Sequence, residues 1–141
     1  MRKIVLILFI FATSLSAQAA CWKKDLNDYW DFIFTSADGS AFPCYIYAGN
    51  NGETMVPGKA NGTNCYVADR FGIASVSSFD VSGSMEILDT RCHVSIEATY
   101  LLDGYRDTVR AYGTMNQSRD TIIGIGYDSG GASTFIMTKA I

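Results

Sequence analysis

Ser118-Arg-Asp-Thr-Ile-Ile-Gly-Ile-Gly-Tyr-Asp-Ser-Gly-Gly-Ala-Ser-Thr-Phe-Ile-Met-Thr-Lys139 is the stretch that decides the fold. Two runs rich in β-branched residues flank Asp128-Ser129-Gly130-Gly131, which predicts a β-hairpin closed by a tight glycine turn. On the first arm Ile123 and Ile125 alternate with Gly124 and Gly126. One face of that arm is therefore bulky and apolar, the other bare backbone onto which something large packs.

Working back towards the N-terminus, the same two-residue period recurs. Tyr105 to Met115 follows the hairpin signal Asp103-Gly104, with Val109 and Ala111 on the inner face and Arg106, Arg110 and Tyr112 on the outer. Before it, Cys92, Val94, Ile96, Ala98 and Tyr100 alternate with His93, Ser95, Glu97 and Thr99. Ser84 to Leu88 precedes that strand across the turn Asp89-Thr-Arg91. Further upstream, Trp30, Phe32 and Phe34 share the buried face of a strand over Tyr29 to Thr35. Phe42, Cys44, Ile46 and Ala48 do the same in the next strand, and Thr54 to Val56 returns after the turn Asn50-Asn-Gly52. Between Gly58 and Gly83 serine and glycine dilute the alternation, leaving short strands expected at Cys65–Val67 and Phe71–Val76. Trp22 to Asn27 has room for one helical turn.

Turns thus recur every eight to twelve residues or so, and no long helical period interrupts them. The expected fold is all-β, an antiparallel up-and-down barrel of about eight strands, with a β-sandwich as the alternative.

The N-terminus reads differently. Arg2-Lys3, the apolar run Ile4 to Ala12 and the small-residue end Ala17-Gln18-Ala19 have the layout of a secretory signal peptide over residues 1–19, leaving a single domain over 20–141. The apolar run is shorter than the ~20 residues that span a bilayer, so a transmembrane anchor is not expected. Removing Arg2 and Lys3 from the 11 basic residues leaves nine against 14 acidic ones, a net charge of −5. That balance argues against nucleic acid and anionic membrane as partners.

Cys21, Cys44, Cys65 and Cys92 make an even count, which in an exported chain means two disulfides. Three pairings are open. The alternative is a lipoprotein acylated at Cys21; Gln18 in place of an aliphatic residue, and the odd thiol it would strand, argue against it.

No residue constellation names a reaction. His93 is the only histidine, and its place beside Ser95 and Glu97 on an outer face makes it a solvated strand residue rather than an acid or base. Asp103 with Asp107, and Asp25 with Asp28, are carboxylate pairs explained by turn and surface positions. There is no calcium loop, no Cys-x-x-Cys pair, and no helix after Gly124-Ile-Gly126 to cradle phosphate, so neither metal nor cofactor is expected. Asn61-Gly-Thr63 and Asn116-Gln-Ser118 match the glycosylation acceptor pattern. Among the aromatics, Tyr45, Tyr47 and Tyr66 are expected outward on neighbouring short strands, where they could meet a ligand or partner.

The early tryptophan in Asn27-Asp-Tyr-Trp30, the meander of hairpins and the basic residue ending Phe135-Ile-Met-Thr-Lys139 together resemble the lipocalin and calycin-like barrels, including small exported bacterial members with disulfides. Asp28 stands where lipocalins usually have the glycine of Gly-x-Trp. The resemblance implies that Trp30 packs across the closed end beside Lys139, with Gly124 or Gly126 making room. It also implies a non-enzymatic periplasmic or secreted protein that holds a small apolar ligand. Some periplasmic lysozyme inhibitors are small disulfide-bearing barrels too, so a protein-interaction module with a filled core is the alternative.

Overall fold

The computed structural model describes residues 20–58, 65–68, 74–102 and 104–141. The signal peptide expected at 1–19, the Asn61-Gly-Thr63 pattern, Asp103 and the start of the strand expected from Phe71 lie outside them. Nine strands follow one tight helical turn (Lys23–Leu26). They are β1 (Asp28–Thr35), β2 (Ala41–Gly49), β3 (Thr54–Pro57), β4 (Cys65–Ala68), β5 (Ala74–Ile87), β6 (His93–Leu102), β7 (Tyr105–Met115), β8 (Thr121–Asp128) and β9 (Gly131–Lys139).

All pairings are antiparallel, and from β5 to β9 each strand pairs with the next in sequence. β1 pairs with β2 on one side and β9 on the other, so the sheet closes on itself. This is a barrel, and the sandwich alternative falls away. It has eight positions around its girth because β3 and β4 share one. Both bridge β2 and β5, β3 alongside Ile46–Gly49 and β4 alongside Ala41–Cys44. Eight strands leave an interior that side chains can fill.

The alternation explains the filling. Trp30, Phe32 and Phe34 from β1 meet Ile46 from β2, Val94 and Ile96 from β6, and Phe135 and Met137 from β9, all buried. In the middle of the chain the structure differs from the expectation. The strand expected at Phe71–Val76, described from Ala74, and the one expected at Ser84–Leu88, up to Ile87, are parts of one strand, β5, 14 residues long. Its serines conceal the period, and Gly83 lies so close to the backbone of Glu97 on β6 that no side chain fits there. Cys92 also differs: it is not the first residue of β6 but a turn residue with left-handed backbone (φ 69°), and the strand starts at His93.

One end of the barrel is closed by the N-terminal segment. Leu26, fully buried, caps the interior, and the Trp30 indole Nε1 donates to its carbonyl at 3.0 Å. A disulfide joins Cys21 to Cys92. The Arg119 Nη2 donates to the Ala20 carbonyl at 3.0 Å, and its Nε stands 3.4 Å from the Asp25 carboxylate. Asp25 is therefore not a free surface acid, as its place before the first strand suggested, but a nearly buried partner of Arg119. The second disulfide joins Cys44 to Cys65, residues directly opposite on β2 and β4. It ties β4 to β2 across the barrel wall.

Candidate functional site

The interior is not filled evenly. At the end opposite Leu26 a cavity of about 30 Å³ remains, lined by Phe32, Phe34, Phe42, Cys44, Val81, Ala98, Tyr100 and Val109. β1, β2, β5, β6 and β7 contribute through the inward half of their alternation, so the lining is carbon and sulfur apart from one phenol. The rings of Phe34 and Phe42 lie 6.2 Å apart at an interplanar angle of 52°, and Phe32 touches Phe34 at 6.3 Å. These are tilted contacts of the kind aromatic rings favour. Phe42 and Tyr100 are only half-buried and stand where the cavity meets the barrel end.

The polar side of this site is a small network around Asp107 on β7. Tyr100 Oη donates to Asp107 Oδ2 at 3.3 Å, and the Ser129 hydroxyl and amide, from the β8–β9 turn, donate to the same oxygen. The Thr108 amide donates to Oδ1 at 2.7 Å, and Tyr105 Oη lies 3.0 Å from Ser129 Oγ. The Ser129 hydroxyl bond, helped by the two amides, holds the Asp107 carboxyl below the usual carboxylate range despite its partial burial. Tyr100 is pushed well above the ordinary phenol range, first by burial and then by the negative charges of Asp107 and Asp128. At neutral pH the rim therefore pairs a carboxylate with a neutral phenol. The arrangement sets a hydrogen-bonded edge beside an apolar wall.

Trp30 lies opposite Lys139 in the β1–β9 register, with the Lys139 ammonium 5.4 Å from the ring centroid and 3.4 Å from Asp28 Oδ2. The residue in the glycine position of the lipocalin pattern thus supplies the counter-charge for Lys139. The two glycines are covered by other rings than Trp30. Gly126 lies beneath Phe34, 3.1 Å from where its Cβ would be, and Gly124 beneath Phe135, at 2.7 Å. The strand register explains the difference: Gly124 is directly opposite Phe135, and Phe135 opposite Phe34, four residues along β1 from Trp30. Gly113, opposite Gly124 on β7, also makes room for Phe135. Its place in Ala111-Tyr-Gly113 gave no sign of this.

Tyr45 and Tyr47 gather on the outside of the barrel around Tyr29, at ring separations of 5.6 and 4.9 Å. Tyr66 is exposed on β4, one residue beyond the Cys44–Cys65 bridge. Tyr29 completes the cluster; its place on the outer face of β1 was legible, its neighbours were not. His93 is exposed, and its Nδ1 lies 2.7 Å from Asp89 Oδ2, a contact that lowers the Asp89 pKa. This orienting pair was hidden in the sequence because Asp89 reads as a turn residue. Asn116 is committed to its own turn, its side chain bonded to Asp120 and Ser118. Among the described residues no three His, Cys, Asp or Glu side chains gather as a metal site. The Cys21 sulfur is already bonded to Cys92.

Neither protein-family models nor curated proteins match the sequence. Solved structures do. Similar barrels include EF1p2_mFAP2b bound to DFHBI (TM-score 0.58, 12% identity, covering 83% of this chain and 95% of that one). Another is mFAP1, a redesigned β-barrel bound to DFHBI (TM-score 0.51, 11% identity, 84% and 97%). A third is a de novo designed fluorescence-activating β-barrel (TM-score 0.50, 15% identity, 84% and 96%). At such identities the likeness is one of fold. The wall of this chain is a closed antiparallel barrel.

Proposed function

We propose that this chain is an exported, non-enzymatic binding protein that takes a small apolar ligand at the barrel end opposite Leu26. The observation that carries this is the lining of the far-end cavity, seven apolar side chains and one phenol, beside the Asp107 network. Two barrels of similar fold hold DFHBI, which supports a ligand in this architecture. The two disulfides support an oxidising compartment.

At about 30 Å³ the cavity accommodates water-sized groups, whereas a dry apolar cavity that binds benzene is on the order of 150 Å³. Ligand entry therefore requires the half-buried Phe42 and Tyr100 to swing outward. The same small volume favours a second reading, a protein-interaction or inhibitor module with a filled core, using Tyr29, Tyr45, Tyr47 and Tyr66 as its contact surface. Native mass spectrometry of the protein from an oxidising compartment, with titration of the apolar dye ANS, separates the two. A co-purified small molecule, or saturable ANS binding abolished by Ala98→Phe, supports the ligand-binding function. An unliganded mass together with ANS binding indifferent to Ala98→Phe rejects it in favour of the surface role.

A further inference from the structure

We propose that the outer face of β9 and β8, flanked by β1 and β7, is the contact surface for a second copy of this chain. In the strand register Ile33, Ile136 and Ile123 form a row across β1, β9 and β8, and Ile125 and Tyr112 continue it on β8 and β7. Strand alternation explains why they are outside: their neighbours in sequence face the interior, where Phe34 and Phe135 cover the glycines. Even so, β-branched and aromatic groups here are left in water, from 38% exposed at Ile136 to 60% at Ile123. Scattered apolar residues on a surface need no explanation, but a contiguous patch does.

Charge identifies the occupant. The other outward residues of β8 and β9 are Thr121, Tyr127, Ala132, Thr134 and Thr138, none of them charged. The flanks add one acid, Asp31 on β1, and two bases on β7, Arg106 and Arg110, the second ion-paired with Glu97 of β6. The chain without its leader carries a net −5, so that charge resides on the rest of the surface, including Glu86, Asp89 and Glu97 on the side of β5 and β6. Two copies repel one another through any acidic face and meet without repulsion through this one. An uncharged apolar sheet face is also complementary to itself, as a two-fold interface requires. Rows of isoleucine on two such faces interdigitate as the inner faces of a sandwich do.

Area sets the strength. The six large exposed residues, Tyr127 included, leave on the order of 600 Å² of surface per copy, most of it apolar, which is large for a monomer. Two copies together reach about 1,200 Å², the lower bound of specific interfaces. The assembly is therefore a reversible dimer.

Sedimentation velocity of the disulfide-bonded protein from about 1 to about 500 µM tests this, and the expected result is a monomer–dimer equilibrium in the micromolar range. Ile123→Lys should weaken it on the order of tenfold or more, because a charge then has to be buried in each half of the interface. Glu86→Lys, on the acidic side, should leave dimer formation through this face in place. Circular dichroism establishes that each variant is folded, and Ile125→Lys replaces Ile123→Lys if the latter is not. A protein monomeric throughout, or a dimer indifferent to both lysines, overturns the proposal. A monomer that instead co-sediments with phosphatidylglycerol vesicles through Ile123 also overturns it, in favour of a membrane surface.

Discussion

Trp30 on the first strand faces Lys139 on the last, and the lysine ammonium stands 5.4 Å from the centre of the indole ring. The pair sits where the barrel closes, and three weak interactions converge on it: the cation over the ring, the Asp28 carboxylate beside the ammonium, and the indole N–H to the Leu26 carbonyl. The packing of the ring outweighs them all. Trp30→Ala should cost about 3–5 kcal/mol, as a fully buried large ring leaves a cavity. Lys139→Met, which keeps the stem, should cost about 1 kcal/mol or less. Urea denaturation followed by tryptophan-independent circular dichroism measures both. Equal losses would mean that the charge, not the ring, holds the seam.

The glycines of β7 and β8 make a separate prediction. A methyl group on Gly124 would meet the Tyr112 carbonyl and the backbone of Gly113, neither of which can move without breaking the ladder. On Gly126 it would meet the Phe34 ring, the Ser133 hydroxyl and the Ala111 methyl group at 3.1 to 3.3 Å, all side-chain atoms. Gly124→Ala should therefore cost about 1–3 kcal/mol and Gly126→Ala less, on thermal melting of the two variants. A larger loss at Gly126 would show that Phe34 has no freedom to shift.

Much of this fold was legible because the signals were local. The alternation of Trp30, Phe32 and Phe34, the hairpin at Asp128–Gly131 and the meander from β5 onward depend on period two and on turn residues, which a single sequence displays. What it concealed was three-dimensional. Which ring covers Gly124 depends on the stagger between β8, β9 and β1, and the stagger of a barrel is set by closure rather than by any one strand. The continuity of β5 was hidden by Ser75, Ser77, Ser78 and Gly83, residues common to strands and loops alike. The ion pair of Asp25 with Arg119 joins residues far apart in sequence, and no pattern around either announces it. The cavity lining follows the same logic: each inward residue was predictable, but not that Ala98 and Val109 are small enough, opposite Phe32, to leave space.

The two disulfides should differ in worth. Cys21 and Cys92 are 71 residues apart, Cys44 and Cys65 only 21. In the chain-entropy account, removing the longer loop's bridge costs about 4–5 kcal/mol and removing the shorter one's about 3 kcal/mol. The double variants Cys21→Ser with Cys92→Ser, and Cys44→Ser with Cys65→Ser, can be ranked by guanidinium midpoint. The first should also free the N-terminal closure. Amide exchange at Asp25 and Asn27, whose backbone N–H groups bond within that segment, should then speed up before the strands are affected. Protection unchanged at those amides would mean that Arg119 and Leu26 hold the closure without the bridge.

Acid should loosen the cavity end. A carboxyl group whose pKa is lower in the folded chain than in the unfolded one stabilises the fold above the unfolded value, and that stability is lost as pH falls through the folded value. Asp107 is such a group, lowered from 3.8 mainly by the Ser129 hydroxyl. Its contribution is complete at neutral pH and disappears only below about pH 4. Asp107→Asn should be less stable than the parent at pH 7 and converge with it near pH 2, because protonated aspartic acid and asparagine are both neutral. Asp120, lowered by Asn116 and Thr121, and Asp89, lowered by His93, lose their own contributions over the same range and do so equally in both proteins. The difference between the two curves therefore isolates Asp107. A gap that stays constant from pH 7 to pH 2 would mean that the side chain's shape, not its charge, ties the β8–β9 turn to β7.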